Sequence, residues 1–87
     1  MAEPKSTLKM HFDGAQVGAA RKLLRMSQAE LAEVTGLTTR TITRFERGDS
    51  VRPETVEAVR EALLDRGIEF LNGGEPGVRL RKTKPDR

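Results

Sequence analysis

The chain has 87 residues, 36% apolar and 33% charged, with three Phe, no Trp or Tyr, one His and no Cys. A chain this short hides only about 60–65% of its unfolded surface; that argues against a roomy catalytic cavity, and the missing thiols exclude a disulfide framework or a thiolate metal site. The net charge of +3 hides an asymmetry: residues 21–52 carry +3, residues 53–78 carry −4 and the last nine carry +4, a polarity that would orient one face toward a polyanion.

At the N-terminus, MAEPKSTLKMHF lacks the uninterrupted apolar stretch of a secretory signal, and no apolar run in the chain approaches the roughly 18 residues of a membrane span. Without Cys, a reducing cytoplasmic interior is the simplest compartment. Leu8, Met10 and Phe12 alternate with Lys9 and His11, which suits either a strand or a loose arm with a few docked apolar residues. Asp13 is placed to cap a helix from Gly14 to Arg25, where Val17, Ala20 and Leu24 follow helical spacing with Leu23 beside them. Ser27 and Glu30 form the capping-box pattern of a second helix, which runs to about Thr35 and stops at Gly36. Thr38 caps a third helix that turns Ile42 and Phe45 inward and ends before Gly48. Pro53 opens a fourth, with Val56, Val59 and Leu63 inward and Gly67 at its end.

After Gly67 the period changes from 3.6 to 2. Ile68, Phe70, Val78 and Leu80 alternate with Glu69, Arg79 and Arg81, and the stretch from Asn72 to Gly77 is dense in turn residues, so a β-hairpin is expected. The predicted fold is mainly α: four to five helices in a compact domain, a C-terminal hairpin, and the N-terminal segment as an optional third strand. The expected division is an arm or strand at 1–13, a helical domain at 14–67, a hairpin at 68–81 and a basic tail at 82–87.

The most specific signal is SQAELAEVTGLTTRTITRFERG, Ser27 to Gly48. Two short helices cross steeply only if their contact is small and their turn tight. Ala32 supplies the small contact, Gly36 the turn, and Leu31, Leu37, Ile42 and Phe45 the shared core. This segment resembles the phage repressor/Cro-like helix-turn-helix family, also called the xenobiotic-response-element type. The resemblance is ungapped from about Arg21 to Pro53 and looser over the following helix; the N-terminal arm and the hairpin lie outside the family core.

Angles along the third helix point the same way without the family. At about 100° per residue, Phe45 and Thr38 fall within roughly 60° of Ile42, while Arg40, Arg44 and Arg47 fall about 140–200° away, with Thr43 flanking them. A solvated charged face is the ordinary explanation of such a row. On the helix that enters the major groove, however, an Arg fork suits guanine O6 and N7. Thr38 serves first as the cap, and Thr39 stands where it could touch a base edge, a thymine methyl or a phosphate. Thr41 and Thr43 are either contacts or surface filler.

The resemblance implies specific roles. Gln28, opening the second helix, would meet the DNA backbone or an outer base; Thr39, Arg40 and Arg44 would read bases; Arg47 and Arg52 would meet phosphates. Arg21 and Glu46 match a buried ion pair of the family and are assigned to structure. Asp49, Val51 and Glu54 depart from the pattern and weaken the loop after the third helix as a phosphate contact. Arg79, Arg81, Lys82 and Lys84 form either a compensating basic patch or a solubilising end. The function expected is sequence-specific binding of double-stranded DNA by a bacterial or phage-type transcription regulator, as a homodimer, with no cofactor and no metal. The rival reading is an interaction module of the same fold, such as an antitoxin that sequesters a toxin or another regulatory protein.

Overall fold

Each of the first three helices starts where a side chain captures a backbone N–H. In the computed structural model, which describes residues 13–71 and 77–81, Asp13 and Gln16 cap α1 (Gly14–Leu23) reciprocally, with bonds of 3.2 and 3.1 Å. Ser27 and Glu30 do the same for α2 (Gln28–Thr35) at 3.0 and 2.8 Å. The Thr38 hydroxyl accepts from the Thr41 N–H at 3.1 Å and opens α3 (Thr39–Glu46). The fourth, α4 (Pro53–Asp65), has no side-chain cap and relies on Pro53, whose fixed φ suits a first turn.

One boundary differs from the sequence expectation. α1 ends at Leu23, not at Arg25, because the chain reverses there: the Arg25 N–H bonds the Lys22 carbonyl at 3.1 Å and the Met26 N–H bonds the Arg21 carbonyl at 3.0 Å. The reversal puts Arg25 at φ 59°, a left-handed conformation that costs a non-glycine residue about 1 kcal/mol. Leu23 is 43% exposed, since about 100° per residue carries it roughly 120° from Val17.

The core is continuous from helices to hairpin. Val17, Leu31, Ile42, Val59, Leu63 and Ile68 are fully buried, and Leu24, Leu37, Val56, Phe70 and Val78 pack against them. β1 (Ile68–Leu71) and β2 (Gly77–Leu80) pair antiparallel, with Ile68 opposite Leu80 and Phe70 opposite Val78. An isolated hairpin of this size is marginal in water; here β2 lies on α1 and β1 on α4. The buried Gln16 side chain ties the join, donating through Nε2 to the Gly77 carbonyl at 2.9 Å and to that of Leu71 at 3.5 Å. On the outer face Glu69 accepts from Arg79 and Arg81, each Nε at 3.0 Å; the Arg79 bond, with the charges of both guanidiniums, holds its carboxyl below the ordinary range. The suggested strand at Leu8, Met10 and Phe12, His11, most of the hairpin turn, and Lys82 and Lys84 of the tail lie outside the described residues. Among the described residues no helix is long and apolar enough to cross a membrane.

Candidate nucleic-acid interface

The pair α2–α3 turns at Gly36, whose φ of 75° suits a residue without Cβ. Ala32 at 5% exposure lets the two helices approach, and Ile42 and Phe45 enter the core from α3. Burying that side of α3 leaves the other side in solvent. Arg40, Arg44 and Arg47 are all exposed there, the last two with side chains 47% and 66% accessible. They form a ridge between two shallow depressions. One, of about 380 Å³, is lined by Thr39, Arg40, Thr43, Arg44, Arg47 and Asp49. The other, of about 410 Å³, lies toward the α3–α4 loop and adds Ser50, Arg52 and Thr55 to Arg40 and Arg44. Six of the proposed contacts, Thr39, Arg40, Thr43, Arg44, Arg47 and Arg52, thus share one surface; Thr38 sits at its start as the cap.

Behind this surface lies a polar network. Arg21 on α1 grips Glu46 at the end of α3 with two bonds, Nε to Oε2 at 2.8 Å and Nη2 to Oε1 at 3.0 Å. Their side chains are only 13% and 12% exposed. The remaining Nη1 donates to the Met26 carbonyl at 2.9 Å and braces the α1–α2 turn. The hydrogen bond to Glu46 raises the Arg21 pKa against the opposing effect of burial. Burial pushes the Glu46 carboxyl up, but the bonds from Arg21 and Gln28 and the nearby Arg21 and Lys22 charges outweigh it, and the net value is lowered.

Gln28 belongs to this network more than to the surface. Its Nε2 donates to Glu46 Oε1 at 3.1 Å, and its Oε1 accepts from the Thr43 hydroxyl at 3.0 Å. The Thr39 carbonyl, also at 3.0 Å, is the alternative acceptor for the single Thr43 hydroxyl proton. The start of α2 is therefore locked to the middle and end of α3, which fixes the outward face as one rigid unit.

Two further residues matter here that the sequence did not single out. A Cβ on Gly14 would meet the Phe45 carbonyl oxygen at 2.0 Å, so only glycine lets α1 start against the end of α3. No local sequence signal marks such approaches between distant segments. Gln16 is equally silent, because its i, i+3 relation to Asp13 accounts for it locally while its hairpin contacts lie more than fifty residues away.

A helix-turn-helix family model matches residues 17–64, which span most of α1 through most of α4. The chain belongs to the helix-turn-helix family. It is of the Cro-like, xenobiotic-response-element type, whose members are DNA-binding transcription regulators, and double-stranded DNA is the partner of this domain. The matched span of the helix-turn-helix family covers the polar network and the arginine ridge and stops short of the hairpin. Comparison with curated proteins returns no match.

Proposed function

We propose that this helix-turn-helix regulator reads a specific duplex sequence by placing α3 in the major groove. Arg40 and Arg44 meet base edges, with Thr39 and Thr43 flanking, and Arg47 and Arg52 meet phosphates on either side. Gln28 contributes from the start of α2, where backbone N–H groups favour a phosphate, its side chain being committed to Glu46 and Thr43. The observation that carries this reading is the exposed Arg row directly behind a fully buried Ile42. A single domain of this size makes a limited interface, so useful specificity calls for a homodimer on half-sites about 34 Å apart. The hairpin, with an outer edge and Leu71 and Leu80 at 42% and 38% exposure, is the dimerisation element in this reading.

Selection from a random duplex library tests it. The wild-type chain should recover a two-fold symmetric consensus, and Arg40→Ala with Arg44→Ala should lose that consensus while melting as the wild type does, each good bidentate contact being worth about 1–3 kcal/mol. A consensus unchanged by the double substitution would overturn the assignment, and a monomer on DNA in sedimentation would remove the dimer. The second reading, an antitoxin-like module holding a toxin or other regulatory protein, is favoured by the exposed side of α4, which carries Glu54, Glu57, Glu61 and Asp65 together with a Leu64 at 39% exposure. Loss of partner capture on charge reversal there, with DNA affinity intact, separates the two.

A further inference from the structure

We propose that Asp49 is a positioning residue for sequence recognition: it holds the Arg44 guanidinium back from the phosphate backbone, so that a correct base edge competes better than an arbitrary duplex. The inference rests on the major-groove reading above and concerns an acid on a surface meant for a polyanion. Its place is set by the backbone. Gly48, at φ 95°, turns the chain back over the last turn of α3; its N–H bonds the Phe45 carbonyl and the Asp49 N–H bonds the Arg44 carbonyl, both at 3.0 Å. The carboxylate is thereby returned to the arginine face, with Oδ2 at 3.7 Å from Arg47 Nη2 and 4.0 Å from Arg44 Nε.

An acid is disfavoured here twice over. The helix C-terminus is the negative end of the macrodipole, and an approaching duplex brings more negative charge. The two guanidiniums offset both costs in the free protein. Arg44 faces Asp49 with its Nε side at 4.0 Å, which leaves the Nη1/Nη2 edge available to match guanine O6 and N7. On a cognate site Arg44 reaches its base and keeps Asp49. On an arbitrary duplex its alternative partner is a phosphate, and taking it strands the Asp49 carboxylate beside the backbone. Asp49 therefore penalises non-specific binding more than specific binding.

The test compares the wild-type chain, Asp49→Asn, Arg44→Ala and the double variant on two duplexes, the one recovered by selection with the wild type and a scrambled one of equal composition, across a salt series. Asp49→Asn should bind the scrambled duplex about two- to fivefold more tightly, with a salt slope steeper by about one, and should lower the cognate-to-scrambled ratio. In the Arg44→Ala background most of that loss of ratio should vanish, which a merely structural residue would not produce. An unchanged ratio, or equal changes on both duplexes, overturns the role of Asp49 while leaving DNA recognition standing. Failure of the wild type to select any consensus overturns both. Melting curves, expected to be unchanged because Asp49 is 37% exposed, exclude unfolding as the cause.

Discussion

Two arginine–carboxylate sets flank the end of α3, and they differ in everything except chemistry. Inside, Arg21 and Glu46 meet at 2.8 and 3.0 Å with both side chains nearly sealed from water. Outside, Arg44 and Arg47 stand 4.0 and 3.7 Å from Asp49 and remain largely in solvent. The inner pair has spent its hydrogen-bonding capacity on the fold, and removing one partner leaves an uncompensated charge. The outer set is loose enough to exchange partners. Rigid geometry behind and exchangeable cations in front are what the proposed reading surface requires.

Arg21→Ala tests the inner pair hardest. It strips Glu46 of its cation and the Met26 carbonyl of its donor, and should cost about 3 kcal/mol in chemical denaturation, whereas Arg47→Ala should stay within about 0.5 kcal/mol. Equal costs would erase the contrast. Gly14→Ala should follow at about 1–3 kcal/mol, since the added methyl meets backbone that must shift and loosens the seat of Glu46; calorimetry of the variant checks it. Acid is the gentlest probe. Because the folded Glu46 carboxyl lies below its ordinary range, its contribution is complete above that range and is lost as pH falls through the lowered value. Glu46→Gln should flatten the decline in melting temperature on acidification; an unchanged slope would mean that the pair is not coupled to folding.

Much of this was legible in the sequence because it is local. Asp13, Ser27, Thr38 and Pro53 mark helix starts through contacts within three or four residues, and two steps of about 100° carry Arg40 and Arg44 to the side of the helix away from Ile42. The hairpin followed from a change of period at Gly67. What escaped depends on tertiary approach. Gly14 matters only because Phe45 arrives against it, Gln16 only because the hairpin folds back onto α1, and the left-handed Arg25 breaks a pattern that would assign such a position to Gly or Asn. Gln28 shows the limit most sharply: its position at the head of α2 was legible, but not that Glu46 and Thr43 would occupy its amide.

The bond from Gln16 to the strand carbonyls bears on assembly. It fastens the hairpin to the first helix at the end nearest its turn, while Ile68, at 1% exposure, anchors the other end in the core. Two chains joined along their hairpins would be coupled like stiff brackets, not beads on a string. The gap between their reading heads would then be dictated by protein geometry, and an operator with a few base pairs inserted at its centre would be rejected instead of accommodated.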